Sequence, residues 1–474
     1  MPEPIIFHVD VNSAFLSWEA CYQLEQNPQS EDIRLIPSVI GGSEEMRHGI
    51  VLAKSSPAKP FGIATGEPLA QARRKCPNLQ VFSPHFDVYV EKSKSLFELL
   101  RRYAPVVEQF SIDEGYCDMT GTEGLYGDLV SFAHRLKEEI KNQLGFTVNI
   151  GISRNKILAK MASDFLKPDR VHTLFPEEIS TKMWPLPVGE LFYVGRSSCK
   201  KLQTLGIRTI GDLAHYDKNI IISHLNKQGE TIWKFANGID VSEVTASQSE
   251  NKGYGNSMTI PYDVEDLETA KLFLLSLCET VGARLRSDHA FIQTISVSIV
   301  DSSFHHHSKQ MTLDCATNIT EKIFMFACQL FDQLWKGEPI RLIGVSTSKA
   351  TKEHFVQYDL FETEKDEKLE KLNSAIDRIR NKYGEDFNWG IVPEDNGFVK
   401  ELEKETDISH YSDVKAIARS YSCDDVLFMF DNIYRIYHLT YSTNNKNGFP
   451  RFMEFIDTSK VIAYIENQFI EEYL

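Results

Sequence analysis

The stretch FHVDVNSAF, residues 7–15, places a carboxylate, Asp10, inside an apolar run. The beta-branched and aromatic residues of IIFHVDV, residues 5–11, predict a central strand entering a hydrophobic core. Burying an ionised group is costly unless that group is paired or coordinates a metal. Asp10 therefore needs a cationic partner, and the rest of the chain supplies the candidates.

Two further carboxylates lie in FSIDEGYCDMT, residues 110–120, which predicts a turn leading into another strand. Asp113 and Glu114 are adjacent, and like charges so close repel unless a cation intervenes. Mg²⁺ is the natural cation for hard oxygen ligands. If the Asp10 strand runs beside this turn, three carboxylates converge, enough for two metal ions roughly 3.5–4 Å apart in a phosphoryl displacement. Acidic turn residues are more often solvated surface, so this pattern alone does not establish a metal site.

Composition indicates a globular protein of several domains. The chain has 474 residues, of which 42% are hydrophobic and 25% charged, and its net charge is -16. That charge argues against a nucleic-acid partner, but residues 362–474 hold 23 Asp or Glu against 14 Lys or Arg, so the total describes local surfaces poorly. The eight cysteines form no CxxC pair. We find no signal peptide and no apolar run of about 18 residues, and we expect a cytoplasmic protein without a membrane partner.

The first third of the chain predicts an α+β domain with an antiparallel or mixed sheet. Residues 129–145 have helical periodicity and end on Gly145, as a C-cap would. A strand over 146–153 follows, and then a helix over 155–169 that Pro168 stops.

The next segment, residues 185–216, predicts short helices punctuated by glycine. Within it, VGRSSCKKLQTLGI, residues 194–207, resembles a helix-hairpin-helix, whose hairpin presents backbone N–H groups to a phosphate. Such short patterns also occur in plain helical turns.

From about residue 253 the order of elements is β-α-β-β-α-β, a second complete α/β unit. In residues 368–384, Leu369, Leu372, Ile376 and Ile379 form one helical stripe. The last eighty or so residues are dense in aromatics and end in a predicted helix. They indicate a further small domain, to which no role is assigned.

Four motifs occur in an order that resembles the Y-family translesion DNA polymerases, on the bacterial branch of DNA polymerase IV and UmuC-like proteins. They are HVDVNSAF, AKSSPAKPFGI, FSIDEGY and GISRNKILAKMASDFLKP, and the resemblance spans roughly residues 4–361. It implies an α+β multidomain right-hand polymerase with palm, fingers, helical thumb and α/β little finger, plus a C-terminal extension. The implied boundaries are palm 1–11 and 79–167, fingers 12–78, thumb 168–240, little finger 250–355, clamp-binding peptide and linker helix 356–396, and extension 397–474.

The resemblance also implies the roles of the carboxylates. Asp10, Asp113 and Glu114 become the catalytic ligands of two Mg²⁺ ions, with the Val11 carbonyl assisting. Asn12 stands where a second acidic residue often appears in the family, so we do not expect it to be a full metal ligand.

Nucleotide-binding residues follow from the same motifs. Phe15 matches the family's steric gate, an aromatic ring packed where a 2′-hydroxyl would otherwise fit; its alternative is an ordinary core ring. Lys167 matches the lysine that reaches the triphosphate, and its alternative is a solvated helix-end charge. The backbone amides of Ser13 and Ala14 are expected to cradle the triphosphate.

One motif departs from the family. Where the family usually has YEARKFG, this chain has SSPAKPFG. Aligned on Phe61 and Gly62, Ser56 replaces the tyrosine and Lys59 the arginine that bind phosphate. Lysine supplies a point charge without the bidentate fork of arginine, so phosphate binding here is expected from Lys59 in altered form.

The remaining implied contacts concern DNA and a sliding clamp. QYDLF, residues 357–361, resembles the clamp-docking peptide of bacterial polymerases, with Gln357 as polar anchor and Leu360 and Phe361 filling an apolar pocket. His305, His306 and His307 lie in a predicted loop or edge, where consecutive strand residues point to opposite faces and do not converge on one ion. The DNA-contacting candidates are Arg196, Lys200, Lys201, Lys309 and Arg341.

We therefore expect a Mg²⁺-dependent, error-prone DNA polymerase that extends primers with deoxynucleoside triphosphates across damaged templates. Two other classes remain as alternatives. One is a non-catalytic adaptor that recruits partners through QYDLF and the aromatic tail, and the other is a nucleotide cyclase on a similar palm. Catalytically silent relatives typically lose the acidic set, which is complete here, and the hairpin segment with the second α/β unit disfavours a cyclase.

Overall fold

The computed structural model describes residues 3–43, 47, 49–246 and 250–352, and parts of the segment 369–465. The chain divides into two compact units, Met1–Ser249 and Glu250–Leu474. In the described ranges, no helix combines the length and hydropathy that crossing a bilayer requires. The described parts of the last segment are 369–371, 373–374, 376–378, 389–392, 397–411, 414–420, 425–430, 433–439, 452–456, 460–461 and 464–465.

The first unit is α+β, as the sequence predicts. Its strands are β1 (Ile6–Val11), β2 (Ser38–Gly41), β3 (Val51–Lys54), β4 (Gln80–Phe82), β5 (Val106–Gln109), β6 (Glu114–Asp118), β7 (Val148–Ser153) and β8 (Val171–Thr173). Its helices are α1 (Ala14–Gln26), α2 (Leu69–Lys75), α3 (Phe86–Arg101), α4 (Glu123–Tyr126), α5 (Leu129–Leu144), α6 (Lys156–Asp164), α7 (Arg196–Thr204), α8 (Ile210–His215) and α9 (Lys218–Ala236). Short 3-10 or π turns span Ser56–Phe61, Pro176–Glu178, Ile179–Met183 and Val188–Glu190.

Strand β1 is the centre of a mixed five-stranded sheet of order β5-β6-β1-β7-β8. Its neighbours β6 and β7 are antiparallel to it, and β8 runs parallel to β7. The side chains of Phe7, Val9 and Val11 belong to the main hydrophobic core together with residues of α3 and α5. Because strand residues alternate between faces, His8 and Asp10 lie on the other face, which α6 covers. Asp10 is thus buried without entering the apolar core.

Close packing of α6 on β7 depends on Gly151. A Cβ there would lie 2.0 Å from the Ala159 carbonyl oxygen and 2.4 Å from the Ser163 amide nitrogen, so any other residue would push α6 away. Asn155 caps the helix by accepting a hydrogen bond from the Leu158 amide. The close approach brings Lys160 of α6 beside Asp10.

Helix α5 confirms the predicted helix over 129–145, with Gly145 in the left-handed conformation that follows its last residue. The helix predicted over 155–169 is shorter than expected, since α6 ends at Asp164. The residue before a proline is disfavoured in the α conformation. The carbonyls of Ser163 and Leu166 instead accept hydrogen bonds from the Asn149 side-chain amide.

Three sheet edges extend beyond the boundaries expected from sequence. Gln80–Phe82 pairs in parallel with β2, so the small sheet of order β3-β2-β4 includes residues after 78. Val171–Thr173 extends the five-stranded sheet beyond 167. Trp389–Ile391 joins the C-terminal sheet before residue 397. In each case backbone pairing is satisfied by a short strand that has little sequence signature of its own.

Residues 174–236 form a helical segment whose core includes Leu202, Leu213 and Ile232 and is shared with residues of α6. Helices α7 and α8 are joined through Gly206, whose φ of 82° is a left-handed conformation that favours glycine. The predicted short helices are therefore present.

The second unit begins with the predicted β-α-β-β-α-β order, which is confirmed. The elements are β9 (Gly255–Val264), α10 (Leu267–Ser287), β10 (Phe291–Asp301), β11 (His306–Thr317), α11 (Thr320–Leu334) and β12 (Ile340–Thr351). The four strands form an antiparallel sheet of order β11-β10-β12-β9, and α10 and α11 cover one face.

The C-terminal part of the same unit contains a second antiparallel sheet. Its strands β13 (Trp389–Ile391), β14 (Val414–Ser420), β15 (Asp425–Phe430), β16 (Ile433–His438) and β17 (Phe452–Phe455) pair in chain order, and α12 (Phe398–Glu405) precedes β14. One face shares a core with Leu402 of α12, and the other with Ile376 and Val461. The aromatic-rich tail is therefore a small domain with a sheet buried on both faces.

Candidate active site

The site is built where β1 and β6 lie side by side. Asp10 and Glu114 are directly paired across these antiparallel strands, and the Val11 amide donates to the Asp113 carbonyl at 3.0 Å. The side chains of paired residues project to the same face. The structure thus places Asp10 next to Glu114 and the backbone of Asp113, although Asp10 is more than a hundred residues from both in sequence.

Two lysines supply the cationic charge that Asp10 needs. Lys160 Nζ lies 3.4 Å from Asp10 Oδ2 and also contacts Glu114 Oε2. Lys167 Nζ lies 2.8 Å from Asp10 Oδ1 and 2.9 Å from Asp164 Oδ1. The Lys160 side chain is 9% exposed and that of Lys167 is 33% exposed, so Lys160 is an internal counter-charge and Lys167 lies at the rim.

The electrostatics of the group follow from burial and these contacts. Burial raises the pKa of Asp10, against the opposing effect of Lys167 and Lys160. Burial also disfavours ionised Glu114, but its close contacts with His8 and Lys160 lower its pKa to about 2. Burial would lower the pKa of Lys160, yet its carboxylate neighbours raise it above the ordinary value, so it is held as an ammonium.

His8 lies beneath Glu114 and is fully buried. Burial lowers its pKa, which keeps the imidazole neutral. Nδ1 is 2.8 Å from Ser163 Oγ, whereas Nε2 is 3.4 Å from Glu114 Oε2 and makes no well-formed hydrogen bond. The ring is thereby fixed between α6 and β6 under the carboxylates.

Asp113 differs from the other two carboxylates. Its Oδ1 accepts a hydrogen bond from Ser111 Oγ at 2.7 Å within the turn, and no ion pair involves it among the described residues. Within those residues, no three His, Cys, Asp or Glu side chains are arranged so that they could hold a metal ion. The reason is visible in the contacts, because Lys160 lies between Asp10 and Glu114 while Asp113 is turned towards Ser111.

Asn12, next to Val11, has its side chain fully used in structural contacts. Its Oδ1 accepts from Thr147 Oγ1 and from the Asp169 amide, at 3.0 and 2.8 Å. Its Nδ2 donates to Asn149 Oδ1 at 3.1 Å. Asn12 thus ties the end of β1 to the loop after Lys167.

The turn from β1 into α1 leaves backbone donors available. Ser13 has a left-handed backbone with φ 49°, and no side chain caps α1 within the described part of the chain. The first intrahelical bond runs from the Ser17 amide to the Ser13 carbonyl. The amides of the first turn, Ala14 among them, therefore have no helical acceptor, which is the usual basis of anion binding at a helix start.

Phe15 lies one residue beyond Ala14 and is partly buried. Its ring stacks on Tyr89 with 5.0 Å between centroids and 16° between planes, and Phe86 approaches it edge-on at 5.9 Å. The ring is therefore supported on one side, as either a gate or a core residue would be.

Ser56 and Lys59 are exposed on the 3-10 turn Ser56–Phe61. Lys59 forms no ion pair with any residue that the structure describes, including Asp10 and Glu114. The structure therefore does not bring these two residues into contact with the carboxylates, and their phosphate-binding role stays a prediction.

The candidate DNA contacts fall into two groups. Arg196, Lys200 and Lys201 are all exposed on α7, which begins after the Gly195 cap. Lys309 pairs with the buried Val297, so it lies at the sheet edge on the side that the helices cover.

Lys309 is exposed, whereas Arg341 is only partly exposed and its guanidinium lies over the Phe304 ring at 4.9 Å. His305 and His307 both contact Asp301, with separations of 3.1 and 3.8 Å. The predicted clamp-binding residues Gln357, Leu360 and Phe361 lie outside the described residues.

Sequence reasoning missed Lys160 and His8. His8 stands in the opening motif, two residues before Asp10, so strand alternation was the signal that it shares the face of Asp10. Lys160 stands in the same motif as Lys167, seven residues earlier or about two helical turns.

Comparison with known proteins gives a consistent result. Residues 9–164 match the impB/mucB/samB family, and residues 251–360 match the impB/mucB/samB family C-terminal domain. The chain is 49% identical to DNA polymerase IV of Clostridium acetobutylicum over 382 residues, 80% of this chain and 96% of that one. It is 37% identical to DNA polymerase IV of Acetivibrio thermocellus over 399 residues, 83% of this chain and 98% of that one.

Among solved structures, a Y-family DNA polymerase chimera of Dbh and Dpo4 is similar in fold, with a TM-score of 0.64 at 23% identity. The similarity covers 73% of this chain and 98% of the chimera.

Proposed function

This chain belongs to the impB/mucB/samB family of Y-family DNA polymerases, and from that membership we propose how its site works. It is a template-directed DNA polymerase of the translesion type, which adds deoxynucleotides to a primer in DNA repair and damage tolerance. The observation that best supports a catalytic role for the described site is the direct pairing of Asp10 with Glu114, beside the turn of Asp113.

Divalent metal ions suit the donor set of this site. The buried Asp10 and the partly buried Glu114 both contact the cationic Lys160, so the site already holds positive charge. In our proposal Asp10, Asp113, Glu114 and the Val11 carbonyl hold Mg²⁺, for which oxygen ligands are preferred. Bound there, two such ions would neutralise the charge that develops on the attacking and leaving oxygens of the phosphoryl transfer.

The chain's own groups would bind and orient the nucleotide. Lys167, at the rim, is suited to exchange its contact with Asp10 for a phosphate oxygen, and the Ser13 and Ala14 amides at the start of α1 offer further donors. Phe15 would form the wall beside the sugar. Lys59 is exposed and without a described ionic partner, so it is available for the triphosphate with Ser56 nearby. Most of the catalytic effect would come from such positioning and charge neutralisation.

DNA is proposed to bind through phosphate contacts that position without reading sequence. The exposed cations Arg196, Lys200 and Lys201 are the best supported of these contacts, because all three lie on one short helix, α7, in a chain of net charge -16. Lys309 and Arg341 are proposed as further contacts from the second unit.

A sliding clamp is proposed as partner through Gln357, Leu360 and Phe361. The support is the sequence QYDLF itself and its place after β12, the last strand of the α/β unit. Tethering of this kind raises the effective concentration of the enzyme at a primer end.

The activity is tested by extension of a primed template with the purified full chain. We expect template-directed addition of deoxynucleotides with Mg²⁺, no addition in EDTA, and continued addition past damaged template bases. A non-catalytic adaptor would extend no primer in Mg²⁺ or in EDTA. A nucleotide cyclase would consume nucleotide without a template. Either result would contradict the proposal.

Lys160 provides a test of the metal site that does not depend on activity. We expect Lys160→Met to lower the free energy of unfolding by roughly 3 kcal/mol in EDTA, because Asp10 and Glu114 lose their shared counter-charge. Mn²⁺ or Mg²⁺ should then raise the unfolding temperature more in the variant than in the unchanged protein, since the ion no longer competes with the ammonium. Thermal unfolding with EDTA or metal measures both effects.

Lys137 offers a matched control, because its side chain is also 9% exposed and pairs with two carboxylates, Glu138 and Asp169, at 2.7 Å. Lys137→Met should destabilise the chain without any gain in metal response. An equal metal response in both variants would contradict the proposed ligands.

A further inference from the structure

Behind Phe15 the helices α1 and α3 are joined by a ring contact and a polar contact. The ring of Tyr89 stacks on Phe15, and the Tyr89 hydroxyl donates to Glu19 Oε2 at 2.9 Å. Phe15 and Glu19 are four residues apart on α1, so they lie on the same face of that helix. A single tyrosine therefore contacts the proposed gate with its ring and Glu19 with its hydroxyl.

Glu19 is an unusual residue for its surroundings, since it is fully buried. Burial of a carboxylate is tolerated only where donors compensate the lost hydration. Besides Tyr89, Gln23 Nε2 donates to Oε1 at 3.0 Å, and His85 Nδ1 lies 3.0 Å from Oε2. Three side chains thus converge on one carboxylate beside an otherwise apolar core.

The consequence for Phe15 follows from the direction of these contacts. Tyr89 is also fully buried, and its hydroxyl is the only polar group of its side chain. With the hydroxyl bound to Glu19, the long axis of the Tyr89 ring points along a fixed line. Movement of the Tyr89 ring, against which Phe15 stacks, is thereby restricted. Without that bond, small shifts of Tyr89 would pass directly to Phe15.

We propose that Glu19 is a positioning residue for sugar selection, which holds Tyr89 and through it the ring of Phe15. The proposal rests on the function proposed above for Phe15. A merely structural role would be filled equally well by apolar residues at positions 19 and 89, whereas a positioning role predicts that loss of the polar contact changes discrimination between deoxyribose and ribose.

The experiment compares insertion of a deoxynucleotide and the matching ribonucleotide on one primed template with the full chain. Tyr89→Phe and Glu19→Gln keep the ring and the side-chain volume respectively. We expect Tyr89→Phe to lower the ratio of kcat/KM for the deoxynucleotide to kcat/KM for the ribonucleotide about tenfold, the effect of losing one hydrogen bond to a charged group. Glu19→Gln removes the charge but keeps an oxygen that can accept from Tyr89, so we expect it to lower the same ratio by less. In a Phe15→Ala background the same substitutions should cause no further change, because the ring through which they act is gone.

Tyr103 supplies the matched control. Its hydroxyl donates to both oxygens of Glu139 at 2.7 Å, in the same unit but away from Phe15. Tyr103→Phe should leave the sugar ratio unchanged. The unfolding temperatures of all variants distinguish a loss of stability from a change in sugar selection. Tyr89→Phe removes only one oxygen atom, so it tests the proposal even if Glu19→Gln does not fold.

The outcomes are distinguishable. If Phe15→Ala leaves the sugar ratio unchanged, the gate assignment itself fails. If Phe15→Ala lowers the ratio but Tyr89→Phe does not, the role of Glu19 is overturned while the gate stands. Equal losses from Tyr89→Phe with and without Phe15 would also overturn it, since the hydroxyl would then act by another route.

Discussion

Asp113→Asn is expected to lower primer extension at least about 10³-fold, while the free energy of unfolding changes by less than about 0.5 kcal/mol. The amide keeps the shape of the side chain and can still accept the hydrogen bond from Ser111 Oγ. What it removes is one negative charge beside Asp10 and Glu114, and with it the affinity of the site for divalent cations. Asp113 is the most informative of the three carboxylates to substitute, because its loss breaks no ion pair among the described residues. Unlike Asp10 and Glu114, it forms no ion pair with a described lysine.

Asp118 on β6, the strand that follows Asp113, provides the control. Asp118 is at the other end of β6, where its Oδ1 accepts a hydrogen bond from the Thr120 amide in a local turn. Asp118→Asn removes the same charge from a similar turn, and we expect extension to remain within about twofold. Steady-state extension with Mg²⁺ and thermal unfolding would measure both variants. Full activity of Asp113→Asn would remove this residue from the site, and equal losses in both would indicate a general effect of charge.

The sequence was sufficient to predict much of the fold because several elements carry local signals. Gly145 marks the end of α5 through its left-handed backbone, and the alternation of β1 follows from its residue types. The adjacency of Asp10 and Glu114 is different. It depends on a strand register between distant segments, and the motif resemblance, rather than any local pattern, predicted it.

Other features had no local signal. Strand β15, residues Asp425–Phe430, is buried on both faces, so its sequence is a continuous apolar run that periodicity cannot distinguish from a buried helix. The position of Lys160 between Asp10 and Glu114 depends on how closely α6 approaches β7, which Gly151 permits. A distance of this kind depends on how two elements pack, so it cannot be predicted from the sequence of either element alone.

Phe15→Ala is expected to raise ribonucleotide insertion relative to deoxynucleotide insertion by about 10²-fold, because a 2′-hydroxyl could then occupy the space of the ring. The substitution also removes a stacked contact with Tyr89 and an edge contact with Phe86, so we expect a loss of about 2 kcal/mol in the free energy of unfolding. Single-nucleotide insertion of both sugars, with thermal unfolding alongside, measures the two effects separately.

Phe132 allows loss of stability to be distinguished from loss of selection. Its ring stacks on Tyr126 at 4.3 Å between centroids and 15° between planes, close to the geometry of Phe15 on Tyr89, but it belongs to α5. It is 5% exposed, so Phe132→Ala should destabilise the chain at least as much as Phe15→Ala while sugar preference stays unchanged. If both variants admitted ribonucleotides equally, loosened packing rather than a gate would explain the effect. If neither did, Phe15 would be a core ring, and sugar selection would have to come from another side chain near the start of α1.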